Sequence, residues 1–125
     1  MELPRRVAVG EGTIARLGAF VASLSPARRA AVISGSRVWG AVGRAASASL
    51  RRAGISFEVH EAPENGARPL GRLGREVRAS RAGLALGVGG GRAVDAAKMA
   101  ARLAGVPYVS VPTAASPDGI ASPFV

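Results

Sequence analysis

An α/β domain built on a doubly wound parallel sheet is the fold that this sequence predicts, and three observations carry the prediction. Short apolar runs alternate with stretches of helical periodicity along the whole chain. The core must be aliphatic and small, because 48% of the residues are hydrophobic but only 4% are aromatic. A glycine cluster, Gly87-Val88-Gly89-Gly90-Gly91, lies between a strand-like run and an alanine-rich helical stretch.

The elements follow in order. Val7 to Val9 reads as a short strand. Ile14 to Leu24 reads as a helix, with Ile14, Leu17, Val21 and Leu24 on one face, and Ser25-Pro26 ends it. Ala30 to Ile33 is the second strand, closed by Ser34-Gly35-Ser36. A helix runs from about Arg37 to Arg52, with Val38, Val42, Ala45, Ala46, Ser49 and Leu50 inward, and Gly54 stops it. Phe57 to His60 is a strand of alternating character. Pro63, Asn65-Gly66 and Pro69 mark Ala62 to Pro69 as a loop.

Leu70 to Ser80 is helical, Leu84 to Leu86 is a buried strand, and Arg92 to Leu103 is a helix that ends near Gly105. Tyr108 to Val111 is another short buried strand. Pro112 to Gly119 reads as loop, and Ile120 to Ser122 as the start of a turn or helix. At 125 residues the chain is one domain, 1–125, of Rossmann-like type. Parallel strands with helical crossovers hold ligands beyond their carboxyl ends, so the loops at Gly89 and Thr113 emerge at one edge. The polar loop followed by Ser-Pro-Phe-Val is expected to lead into further chain.

Charge and composition narrow the function classes. The net charge is +9, and the basic residues are arginines apart from Lys98. Arg68, Arg72, Arg75 and Arg78 form the tightest series, at helical spacing, but few aromatic or base-reading side chains accompany it. A solvated helix face is the expectation, and nucleic acid is not an expected partner. The charge draws anionic ligands at long range. No apolar stretch is long enough to span a membrane, no signal peptide is evident, and cysteine is absent, which fits a cytoplasmic protein.

The glycine cluster carries the chemistry. A strand that turns through glycines into a helix start leaves backbone N–H groups around one point, open to an anion and favoured by the helix dipole. The dinucleotide fingerprint G-x-G-x-x-G fails, because Arg92 or Val94 falls at its last glycine, depending on the starting point. The P-loop pattern fails too: Lys98 lies well inside the helix. A different phosphate cradle is needed, the competing reading being a glycine-rich turn without a ligand.

Gly87-Val88-Gly89-Gly90-Gly91-Arg92-Ala93-Val94-Asp95-Ala96-Ala97-Lys98 and Val109-Ser110-Val111-Pro112-Thr113-Ala114-Ala115-Ser116-Pro117-Asp118-Gly119-Ile120-Ala121-Ser122-Pro123-Phe124 together resemble the N-terminal part of glycerol-1-phosphate dehydrogenases. These belong to the superfamily of iron-containing alcohol dehydrogenases, glycerol dehydrogenase and dehydroquinate synthase. The G-G-G-x-x-x-D-x-x-K pattern marks the superfamily, and the P-T-A-A-S-x-D-G-I-A-S-P run marks the glycerol-1-phosphate branch.

The resemblance implies NAD or NADP as cofactor and hydride transfer to dihydroxyacetone phosphate. Gly90, Gly91 and the amides of Arg92, Ala93 and Val94 would hold the pyrophosphate. Asp95 would lie beside the nicotinamide; as an isolated residue it reads equally as a helix-start carboxylate or a partner of Lys98. Thr113, Ala114, Ala115, Ser116 and Ser122 would contact the cofactor.

Asp118 would accept hydroxyls of the polyol substrate, although loop chemistry alone makes it an Asp-Gly turn residue. Ser34-Gly35-Ser36 offers hydroxyls where an acidic side chain would hold a ribose 2′-OH, which leaves NAD against NADP open. The family's zinc is held by an aspartate and two histidines of a C-terminal helical domain that this chain lacks. No metal ligand is assigned here, since His60 is the single histidine.

The chain alone is therefore expected to be inactive, with residues 114–125 crossing towards the second domain. A glycerol dehydrogenase, a dehydroquinate synthase-like enzyme and a non-catalytic dinucleotide-binding fragment are the alternatives. A homo-oligomer is compatible with all of them.

Overall fold

The computed structural model describes residues 5–6, 13–64, 66–116 and 119–121. Its elements run β1 (Arg5–Arg6), a 3-10 turn (Thr13–Arg16), α1 (Leu17–Leu24), β2 (Arg29–Ser34), α2 (Ser36–Arg52), β3 (Ser56–Glu61), α3 (Ala67–Ala79), β4 (Leu84–Gly89), α4 (Gly91–Ala104), β5 (Tyr108–Pro112), β6 (Ala114–Ser116) and β7 (Gly119–Ala121). The first five strands form one parallel sheet in the order β1-β5-β4-β2-β3. The strand expected at Val7 to Val9 lies outside the described residues. None of the described helices is long and apolar enough to cross a membrane.

The sheet has two unlike faces because side chains alternate along each strand. Ala30 and Val32 of β2 and Leu84, Leu86 and Val88 of β4 pack against Leu17, Val21, Ala46 and Leu50 of α1 and α2. The intervening Ala31, Ile33 and Ala85 meet Leu73 and Val77 of α3 and the alanines 93, 96, 97, 100 and 101 of α4. Small residues on this second face let α4 approach the sheet closely. A Cβ at Gly87 would lie 2.8 Å from Ala97 Cβ and 3.0 Å from Val94 Cα, so glycine is required there by packing. On the other face the Gly18 N–H donates to Ser49 Oγ at 2.7 Å, locking α1 onto α2.

Helix ends obey local chemistry. Ser25 is extended (ψ 141) ahead of Pro26, which disfavours helical geometry in the residue before it. Gly54, at φ +76, follows α2; its N–H donates to the Arg51 carbonyl, and that of Ile55 to the Leu50 carbonyl. Two expectations are corrected. Helix α3 begins at Ala67, inside the expected loop, because a proline in the first turn lacks only an N–H that has no partner within the helix. Residues 114–116 and 119–121, expected as loop and as the start of a turn or helix, instead pair as an antiparallel ribbon with Ser116 opposite Gly119.

Strand β3 also departs from strict alternation: only Phe57 and His60 are half-buried, and Val59 is 42% exposed. It is an edge strand, so helices cover it less fully than its neighbour β2. The arginine series on α3 is exposed at all four positions, as a solvated face requires.

Candidate functional site

Neighbouring strands β2 and β4 send the chain to opposite faces of the sheet. From β2 it turns at Gly35 into α2, and from β4 it turns at Gly90 into α4. A crevice opens where connections diverge in this way. Here it is a cleft of about 370 Å³. One wall is Gly35 to Val38 at the start of α2, and the other is Gly90 to Ala93 at the start of α4. Glu61 and Ala62, at the end of β3, close one side.

The glycines of the cluster divide by role. Gly87 is a packing glycine, as above. Gly89 needs a positive φ of 141°, a conformation that side chains disfavour. Gly90 and Gly91 are different, since a Cβ on either would meet nothing within 4 Å. Their bareness serves the open cleft and not the packing of the chain. Gly35 across the cleft is equally unobstructed. Both helix starts lack a side-chain cap and an acidic residue in the first turn. Their first N–H groups and the positive dipole ends are therefore left for solvent or an anion.

Of the expected site residues, Gly90, Gly91, Arg92 and Ala93 line the cleft, and Val94 is half-buried just behind them. The Val94 N–H is engaged: it donates to the Gly90 carbonyl at 3.1 Å as the first bond of the helix. Asp95 is exposed and lines a separate groove with Lys98, Met99 and Arg102, outside the cleft walls. Thr113 is brought to the cradle, its N–H donating to the Gly89 carbonyl at 2.9 Å. The Thr113 hydroxyl is buried without a hydrogen-bond partner, an unusual state for a polar group. Ala114, Ala115 and Ser116 form β6 directly after it. Asp118 and Ser122 lie outside the described residues.

Ser34 and Ser36 do not act alike, although both were expected to offer hydroxyls. The Ser34 hydroxyl is buried and donates to the Val88 carbonyl, whereas Ser36 is exposed on the cleft wall. Arg37 and Glu61 were not anticipated as cleft residues. The parallel order of β2 and β3 places them there, and the periodicity of either segment is silent about it.

Among the described residues no three His, Cys, Asp or Glu side chains gather as a metal site would require. His60 stands 3.6 Å from both Glu58 and Glu76, and its Nε2 is buried without a hydrogen-bond partner. These residues do not fit the zinc site that the resemblance implies, and no step through a metal is derived from them.

The fold and cleft define a doubly wound α/β domain with a ligand crevice at its switch point. Residues 8–125 match the family model described as iron-containing alcohol dehydrogenase, and the chain belongs to that family. It is 52% identical over its full length to glycerol-1-phosphate dehydrogenase (NAD(P)+) of Cenarchaeum symbiosum, of which it covers 35%. It is 41% identical to the enzyme of the same name from Nitrosopumilus maritimus, again covering 35%.

The chain thus spans about a third of the length of these curated relatives. Among solved structures, the NADH-dependent butanol dehydrogenase A of Thermotoga maritima superposes with a TM-score of 0.78 at 21% identity. That match covers 93% of this chain and 34% of the other, and it establishes the fold alone.

Proposed function

We propose that this chain forms the dinucleotide-binding part of an NAD(P)-dependent dehydrogenase acting between glycerol 1-phosphate and dihydroxyacetone phosphate. The observation that carries the reading is the pair Gly90 and Gly91, bare towards an open cleft at an uncapped helix start. A Cβ there would fill the space that a pyrophosphate needs. The names of the relatives at 52% and 41% identity support the substrate pair.

In this reading Gly90 and Gly91 let the pyrophosphate approach, and the amides of Arg92 and Ala93 at the start of α4 stabilise its charge, the Val94 N–H being taken by the Gly90 carbonyl. The Arg92 guanidinium adds a mobile positive charge at the same wall. The adenosine half extends across the end of β2 towards β3, and the nicotinamide half towards the loop after β5. Thr113 meets that half with its otherwise unpartnered hydroxyl, and Ala114, Ala115, Ser116 and Ser122 flank it. Asp118 accepts hydroxyl hydrogen bonds from the substrate. The bound dinucleotide supplies the hydride. The same reading places the protein in the cytoplasm, with small phosphorylated metabolites as partners.

Isothermal titration of the purified chain with NADH and NADPH tests the proposal. Saturable binding of either is expected. No heat from either ligand at millimolar concentration would overturn it.

A further inference from the structure

We propose that Arg37, with Ser36, makes this cleft select a dinucleotide carrying a 2′-phosphate on its adenosine ribose, so that NADPH is preferred to NADH. The inference rests on the dinucleotide reading given above.

The register of the sheet places the groups. Val88 of β4 lies beside Ser34 of β2, and Ser34 lies beside Glu61 of β3. Each step is one strand spacing, about 4.8 Å. The pyrophosphate cradle begins two residues beyond Val88, and Arg37 lies three residues beyond Ser34. A ribose bonded directly to the pyrophosphate therefore spans one strand step and stands over the end of β2.

At that place the described residues offer no carboxylate. Ser34 spends its hydroxyl on Val88, Gly35 leaves open space, and Ser36 and Arg37 line the wall with exposed side chains. An acidic residue there would accept a bond from a free 2′-OH and repel a 2′-phosphate, and an arginine does the reverse. A guanidinium donates two parallel bonds to a phosphate, and a hydroxyl at Ser36 adds a third donor.

Glu61 and Arg92 are the other charged groups on the cleft. Arg92, on the cradle wall, adds to the attraction for any phosphate. Glu61 is the opposing charge, but it ends β3, one strand further from the cradle than β2. No ion pair joins it to Arg37 within 4 Å. Among the described residues no carboxylate pairs with the Arg37 guanidinium, and Glu61 stands one strand spacing beyond the end of β2. The positive charge wins at that point.

The test measures dissociation constants of the purified chain for NADPH and NADH, and for the half-molecules 2′,5′-ADP and 5′-AMP. Quenching of Trp39, which follows the cleft residue Val38 in α2, reports binding. NADPH is expected to bind at least about tenfold more tightly than NADH, the scale of one charge-assisted phosphate contact. Arg37→Ala should lower the NADPH-to-NADH preference at least about fivefold, and Arg37→Lys should restore part of it.

Arg44→Ala removes the same charge from an exposed position on α2 away from the cleft and should keep the preference. Circular dichroism checks that each variant is folded. Equal affinity for both dinucleotides, or a preference unchanged in Arg37→Ala, overturns this inference and leaves the dinucleotide reading standing. Binding of neither dinucleotide overturns both.

Discussion

The hydroxyl of Ser34 donates to the carbonyl oxygen of Val88 at 2.7 Å, joining the last residue of β2 to β4 beneath the cleft. The bond is buried and ties together the two strands whose loops form the opposing walls. Ser34→Ala leaves an acceptor without its donor inside the protein. We expect a loss of about 1–2 kcal/mol in urea denaturation, together with weaker dinucleotide binding as the walls lose their common anchor. Unchanged stability would mean that water replaces the hydroxyl.

Gly87 and Gly91 give opposite results under the same kind of change. Gly87→Ala drives a methyl group into Ala97 and Val94, and it should cost about 1–3 kcal/mol by overpacking. Denaturation midpoints measure it.

Gly91→Val meets open space and changes stability by less than about 1 kcal/mol. Its effect falls on the ligand: binding of NADH and NADPH should weaken at least about tenfold, read by titration. Intact binding in this variant would remove Gly91 from the cradle.

Thr113→Val tests the unpartnered hydroxyl. Replacing a buried hydroxyl that has no bond by a methyl group should leave stability unchanged or raise it by up to about 1 kcal/mol. Dinucleotide affinity should fall about fivefold to tenfold, because the hydroxyl finds its partner in the ligand. Loss of stability together with unaltered affinity would assign the hydroxyl to the fold.

Binding and turnover should separate. The described residues hold no metal-sized cluster of ligating side chains. The purified chain is therefore expected to bind dinucleotide and yet show no reduction of dihydroxyacetone phosphate with added zinc. A coupled spectrophotometric assay following NADPH decides this, and measurable turnover would refute the expectation.

Much of this molecule could be read in advance. The helical spacing of Ile14, Leu17 and Val21 and the stop at Gly54 report on neighbours a few residues away, where sequence is informative. The glycines at 90 and 91 marked the turn into α4 for the same reason, and the structure leaves both facing open cleft space. The ribbon of β6 and β7 was not legible: residues 112–119 read as loop and 120–122 as the start of a turn or helix, because three-residue strands carry too little periodicity to declare themselves.

Other features depend on strand order, which local patterning does not encode. Two arginines of similar context, Arg37 and Arg44, sit on the same helix, yet only Arg37 lines the cleft, because β2 lies beside β4. Likewise Ser34 and Ser36 differ only after β4 is placed next to β2, when one hydroxyl is buried and the other left open. Asp95 follows the glycines by a turn, but helical rotation carries it to the groove beside Lys98 and Arg102. The chain's own residues thus dictated which segments would be strands, helices and a glycine-rich turn, through interactions within a turn or two. Which side chains share the cleft was decided by pairing between β2, β3 and β4, contacts tens of residues apart that form only when the whole sheet assembles.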